Sequence, residues 1–437
     1  MSGTLWIDLT DLRAWSGHHT GVQRVVFSIA SRYQARGNAR FFAFDSDREV
    51  LHEVGAETLS APTATPPDAA RRSSSGGLTA GLRSAARRTP VSLRRRLSFE
   101  QRQAIKSAGR NAVAAARDLR RAARRDTAGA RRPSSPVSLN VGSDDALLVL
   151  GKVWDEPALV DALTRTKLIR GCRLHYLVYD LIPVFQPHLF GPGLFERYAS
   201  YLFDMCSTAD GLLAISQSTR ADLERFCADL LIPQPPIEVV RLGEDVLPQE
   251  QAVSGIEPGG FILTVGTLEV RKNHALLYNV WKLAQRHGVP LPRLVIVGGQ
   301  GWLAGDALHL LATDPQVNAN VTLLHDVSDA QLAWLYQHCR LSVYPSVFEG
   351  WGLPVAESLA RGKVCVASNT SSMPEIAGDL IDYFDPYDAG ECLRTLLKYL
   401  DDAVLAAKEA EIRTRYRRTG WDDTFAQVAR LVTPGLP

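Results

Sequence analysis

The sequence predicts an α/β fold of two successive, doubly wound domains facing a cleft, and three observations carry that prediction. Short apolar runs alternate along the chain with amphipathic helical patterns, the signature of mainly parallel sheets. The apolar runs end in loops bearing glycine or polar residues, where open parallel sheets bind ligands. A stretch at 244–260 containing proline and glycine interrupts the pattern, which then restarts. With 437 residues, 46% of them apolar, the chain is long enough for two cores. The expected domains are 1–245 and 260–415 with a linker at 246–259; residues 410–431 read as one helix that crosses back, and 416–437 returns to the first domain.

In the first half, residues 5–9 read as an apolar strand, followed by a glycine turn at 16–21 and an amphipathic helix at 22–36. Strands are expected at 40–44, 49–54, 146–150, 173–179, 211–215 and 239–243. The polar residues that follow them, Lys152, Tyr179, Asp180 and Ser216, point toward one cleft. Each also has a plainer reading as a loop cap, and Asp180 in particular can fix its own turn. In the second half, strands are expected at 261–265, 293–297, 321–324, 341–344, 364–367 and 381–384. Ser328 or Asp329 caps a helix at 330–338.

The strongest stretch is 343–357. A strand stops at Pro345, a loop carries Glu349, Gly350 and Gly352, and Pro354 opens a helix that carries Glu357. Glycines let backbone amides approach a bound group, and a helix N-terminus suits a phosphate. Two carboxylates beside an anion site repel the anion itself, so they suit sugar hydroxyls. Arg271 and Lys272, directly before another helix, can neutralise the same phosphates.

Charge is unevenly distributed. Residues 71–132 hold 18 lysines and arginines against 3 acids, a surplus of 15 in a chain of formal charge +2, which leaves −13 elsewhere. This basic insertion, 61–136 with its low-complexity edges, reads as a surface arm for anionic lipid or as a solvated segment with no partner. Nucleic acid is not expected, because only Phe99 interleaves with the arginines. No run of 18 apolar residues is present, and the first residues lack the regions of a signal peptide. Six dispersed cysteines without a Cys-x-x-Cys pair read as reduced core residues. A cytoplasmic protein, peripheral on the inner membrane through its arm, is the expectation.

The Pro-Ser-x-x-Glu-Gly-x-Gly-Leu-Pro run, with Glu349 and Glu357 spaced as E-x7-E, resembles retaining glycosyltransferases of family 4, which have the GT-B fold. Supporting matches are 20–24, 180–183, Ser216 with its helix, 266–273 and 368–375, and the resemblance covers essentially the whole chain apart from 61–136. The resemblance implies that Glu357 binds ribose hydroxyls, Glu349 contacts the donor sugar, and Lys272 with Arg271 binds the diphosphate. Backbone amides of the turn at 352–354 join them, though Pro354 has no donor. Val327 and its neighbours would hold the base. Gly266, Thr267, Gly299, Gly350, Trp351, Gly352 and Leu353 complete the donor side. Thr20, Gly21, Arg24, Tyr179 and Ser216 form the acceptor side, and Asp180 joins the catalytic group. Two positions depart from the family pattern: Thr267 stands where an arginine is common, and Tyr179 where a histidine is.

The helix dipole, Arg271 and Lys272 can stabilise the departing phosphate without a metal, so neither metal nor cofactor is expected, and the resemblance implies a front-face reaction. The implied substrates are a nucleotide sugar, GDP-mannose by the 268–273 and 298–302 patterns, and a saccharide or lipid-linked oligosaccharide acceptor in O-antigen, capsule or exopolysaccharide assembly. A UDP- or dTDP-sugar transferase, a GT-B epimerase and a non-catalytic saccharide-binding scaffold stay open.

Overall fold

The computed structural model describes residues 3–14, 21–59, 139–244 and 249–432. The basic insertion, Thr20 and the chain at 245–248 lie outside the described residues. Seven strands form the first sheet: β1 (Leu5–Asp8), β2 (Ala39–Asp45), β3 (Val50–Val54), β4 (Ala146–Val149), β5 (Arg173–Val178), β6 (Gly211–Ala214) and β7 (Ile237–Val239). Their order is β3-β2-β1-β4-β5-β6-β7. All pairings are parallel except β2 with β3, a hairpin of Phe41 opposite Val54 and Asp45 opposite Val50. The second sheet takes β8 (Phe261–Val265), β9 (Arg293–Val297), β10 (Val321–Leu324), β11 (Leu341–Tyr344), β12 (Cys365–Ser368) and β13 (Tyr383–Phe384). It is parallel throughout, in the order β10-β9-β8-β11-β12-β13.

Both orders reverse once, between β1 and β4 and between β8 and β11. Loops leaving the two strands at such a point diverge to opposite faces, opening a crevice at their carboxyl ends. The sequence puts its ligand-type loops after β8 and β11, so the fold brings 266–273 and 345–352 together. Strand burial follows from this layering. Phe261–Leu263, Leu294–Ile296 and Val364–Ala367 are covered on both faces by helices, which explains their unbroken apolar runs.

The return of the C-terminus onto the first domain rests on named contacts. Tyr33 meets Phe425 edge-on at 4.5 Å between ring centroids, and the Arg36 guanidinium lies 3.9 Å over the Phe425 ring. Thr424 donates to the Arg241 carbonyl at 2.9 Å. One helix was expected over 410–431, but there are two, Asp402–Arg415 and Trp421–Val432. The break serves the hinge: there Tyr416 donates to Glu244 at 2.6 Å and the Thr419 carbonyl accepts from the Glu244 amide at 3.0 Å. The same contacts move the last strand of the first sheet. It ends at Val239 instead of running over 239–243, because Arg241 and Glu244 spend backbone amides on the C-terminal segment.

Glu244 has no exposed side-chain surface, and its Oε2 has no hydrogen-bond partner among the described residues. Burial pushes its carboxyl up to about 7, against the opposing pull of Tyr416, Arg241 and Arg418. A carboxyl raised on folding contributes stability below its unfolded value and loses it as pH rises through the folded one. Glu244→Gln is therefore expected to gain stability over the parent as pH rises from 5 to 9, on the order of 2 kcal/mol at the alkaline end. Thermal melts of both proteins across that range check this.

All six cysteines are buried and free. Among the described residues no helix is long and apolar enough to cross a membrane.

Candidate active site

The two loops at the second sheet's crevice are stitched together by polar contacts. Asn273 takes a left-handed backbone at φ 59°, and its amide donates to the Pro345 carbonyl at 3.1 Å and the Pro386 carbonyl at 2.8 Å. The Val347 amide donates to the Arg271 carbonyl at 2.9 Å. Arg271 and Lys272 thus sit in a single helical turn, Val270–Lys272, before the helix His274–Arg286. Lys272 runs along Gly266, so that its Cε would lie 3.3 Å from a Cβ placed there.

At the centre is Glu349, 6% exposed. Its Oε1 receives Lys272 at 2.7 Å and the Tyr344 hydroxyl at 2.9 Å. Its Oε2 pairs with Arg271 at 2.5 Å, and Arg271 also reaches Glu269 at 2.5 Å. The backbone of Glu349 is held as well, its amide by Ser371 and its carbonyl by Ser372. Two cations and two carboxylates make the network nearly neutral, which is what permits their burial.

The ionisation of each group follows from this arrangement. Burial alone would raise the Glu349 carboxyl, but Arg271 and Lys272 outweigh it and bring it down to about 2. Burial pushes Lys272 down, partly opposed by Glu349. Tyr344 is held far above its usual range by burial and by Glu349. At neutral pH Glu349 is a fixed anion and no proton donor.

The helix Leu353–Ala360 starts at Gly352, whose φ of 119° strains any side chain, with Pro354 in its first turn. Gly350 is required for another reason: a Cβ there would lie 2.1 Å from the Tyr179 carbonyl of the first domain. Thr219 donates to that Tyr179 carbonyl at 3.1 Å and reaches toward the Gly350 carbonyl at 3.4 Å. The cleft is closed at this corner.

Other predicted residues take roles set by their neighbours. Asp180 accepts from the Ile182 amide at 3.0 Å, fixing its own turn, and burial raises its carboxyl against the pull of Arg271. Ser216 is fully buried and caps the helix Gln217–Leu230 through Thr219, so its hydroxyl is spent. Tyr179 turns its hydroxyl to the Leu150 carbonyl at 2.7 Å. Lys152 pairs with Asp155 at 2.5 Å.

Trp351 is buried, with the Arg241 guanidinium 5.4 Å from its ring, so its indole belongs to the hinge packing. Thr267 packs beside Gly301, and Val327 is half-buried against the cluster around Trp334 and Leu335. Gly299 has open space around it, and Leu353 is half-buried. Gly21 begins the helix Gly21–Arg36. Arg24 departs from its expected acceptor-side place: it crosses the cleft to Glu357, Nη1 to Oε1 at 3.0 Å.

Sequence reasoning missed the partners. Glu269 stands in the 268–273 pattern, but nothing local shows it as the second counter-ion of Arg271. Tyr344 reads as a strand residue, and Tyr336, which donates to Glu357 Oε2 at 2.9 Å, as a helix core residue. Glu375 was quoted only as a motif end. It crosses the cleft and accepts from the amides of Gln217 and Ser218, both at 2.7 Å. Trp302 donates to the Leu189 carbonyl at 3.0 Å and stacks on Phe190 at 5.8 Å.

With this geometry established, the comparisons with known proteins become informative. Residues 248–419 match the model of the family described as glycosyl transferases group 1. The chain is 26% identical over 277 residues to the serotype-specific mannosyltransferase WbdA of Escherichia coli, covering 60% of this chain and 33% of that protein. It is 29% identical over 241 residues to O-antigen chain mannosyltransferase B of Escherichia coli, covering 52% and 61%. The matched regions thus span about a third of the first relative and under two thirds of the second. The crystal structure of Anabaena Alr3699/HepE in complex with UDP and glucose superposes with a TM-score of 0.58 at 13% identity, over 98% of this chain and 99% of that one. That likeness shows the fold, which is GT-B. The stretch that matches the glycosyl transferases group 1 model, 248–419, contains the Glu349 network and both glycine loops.

Proposed function

We propose that the chain is a glycosyltransferase that moves a hexose from a nucleotide diphosphate sugar to a saccharide acceptor. The buried Lys272–Glu349–Arg271–Glu269 network at the β8–β11 crevice carries this reading. Its cations are paired with Glu349 and Glu269, partners that a diphosphate can replace. A diphosphate entering beside them takes over Lys272 and Arg271, and the oxygens of Glu349 are released toward sugar hydroxyls. The helix at Leu353–Ala360 adds its positive end to the same anion. Because Glu349 is a fixed anion, it orients the sugar and does not protonate the leaving group. The leaving diphosphate oxygen takes the acceptor's proton while the anomeric carbon exchanges one C–O bond for another on the same face. Charge developing on that oxygen is stabilised by groups already in place.

Mannose is the sugar we infer, with GDP-mannose as donor, on the strength of two relatives named as mannosyltransferases. The acceptor we infer is a lipid-linked saccharide. The basic stretch 71–132 supports that by its charge, which favours an anionic membrane face. Deleting 69–136 is expected to abolish salt-sensitive binding to vesicles of phosphatidylglycerol, measured by cosedimentation; equal binding by both proteins contradicts it.

The function is tested with a panel of nucleotide sugars and a pooled lipid extract, scored for nucleoside diphosphate release. Acceptor-dependent release from GDP-mannose is expected. Sugar release or epimerisation without acceptor selects an epimerase, and no turnover of any donor selects a binding protein.

A further inference from the structure

Glu357 is the residue to which the family resemblance assigns the ribose, and both of its oxygens are occupied. Oε2 receives the Tyr336 hydroxyl at 2.9 Å and Oε1 receives Arg24 at 3.0 Å. The two partners differ in origin. Tyr336 is buried in the same domain, on the helix Asp329–His338, and moves only if that domain rearranges. Arg24 comes from the opposite domain, on the helix Gly21–Arg36, and its side chain is 29% exposed. Of the two, Arg24 is the one that can leave without disturbing the second domain.

We propose that Arg24 gates the ribose pocket: its guanidinium holds Glu357 Oε1 across the cleft, and the ribose diol of an incoming nucleotide displaces it. This rests on the reading of Glu357 as the ribose ligand. Diol and guanidinium are both hydrogen-bond donors approaching one carboxylate oxygen, and the guanidinium takes up room that a seated diol needs. Because the pair spans the two domains, donor entry and release of this interdomain contact become one event. The bond from Glu375 to the helix Gln217–Leu230 and that from Trp302 to Leu189 use other atoms. The cleft therefore loosens at the nucleotide corner while its other corners hold. Arg24 thereby sets nucleotide affinity, a donor-side role for a residue on the acceptor-side helix.

The test is a four-way titration calorimetry experiment on the full chain. Wild type and Arg24→Met are each titrated with GDP and UDP and with the 2′,3′-dideoxy forms of both. Met keeps the aliphatic packing of the arginine stem, and far-UV circular dichroism confirms the fold. The variant is expected to bind the ribonucleotide roughly fivefold more tightly, the scale of a partly exposed ion pair no longer broken on binding. For the dideoxy form, which cannot compete for Glu357, wild type and variant are expected to bind alike. Arg24→Lys, which restores a donor, should return the ribonucleotide affinity toward wild type. An unchanged or weaker ribonucleotide affinity in Arg24→Met overturns the gate, as does an equal gain for the dideoxy form. Failure of every nucleotide to bind wild type overturns the functional reading instead.

Discussion

Glu349→Gln lowers turnover by about two to three orders of magnitude with the fold retained, the scale of removing one fixed charge from a transition-state cradle. The amide keeps the shape of the carboxylate, and its oxygen can still accept from Lys272 or Tyr344. What is lost is the anion that holds Arg271 and Lys272 in register and addresses the sugar hydroxyls. Alanine is a poorer probe than glutamine. Removing the side chain leaves Arg271 and Lys272 with Glu269 as their remaining counter-ion in this network, and breaking a buried pair costs about 3–5 kcal/mol. Diphosphate release assays beside thermal melts separate the two effects. A glutamine variant with half of wild-type turnover contradicts the assigned contact.

Lys272→Met gives the second large effect, a loss of about a hundredfold or more in kcat/KM. The reason is the diphosphate, which loses a cation placed beside it in the crevice. Stability should stay near that of wild type. Methionine fills similar space, and Glu349, though it then shares one cation with Glu269, keeps Arg271 and Tyr344. Burial already depresses Lys272, so removing it also removes a desolvation cost. A strong fall in activity with an unchanged melting temperature is the expected pattern. A matching fall in both assigns Lys272 to structure alone.

Much of this was legible in the sequence because it is local. A strand's apolar run, the glycine at 352, Pro354 in a first helical turn and the Ser328 cap all act over a few residues. Ser328 indeed closes a capping box with Gln331. The pairing of Glu349 with Lys272 spans 77 residues and, like that with Arg271, depends on the order of β8 and β11, which no spacing rule gives. The same holds for Arg24, whose partner lies 333 residues away. The acceptor-side expectation for Arg24 came from its glycine loop, whereas its contact is set by how the domains close.

The sequence also misjudged the breaks in regular structure. Strand 239–243 and helix 410–431 both read as continuous by pattern. Both are cut where Glu244, Tyr416 and Thr419 satisfy one another across the hinge. Ser216 and Tyr179 show a further limit: a polar residue at a strand's end faces the cleft by topology, yet its hydroxyl can be spent on a cap or a carbonyl.

The central claim is that the buried cations beside Glu349 hold a nucleoside diphosphate. Its most direct test is a calorimetric titration of GDP into the full-length wild type and Lys272→Met. Saturable binding that weakens about tenfold or more in the variant is the predicted result; equal affinity in the two proteins would contradict it.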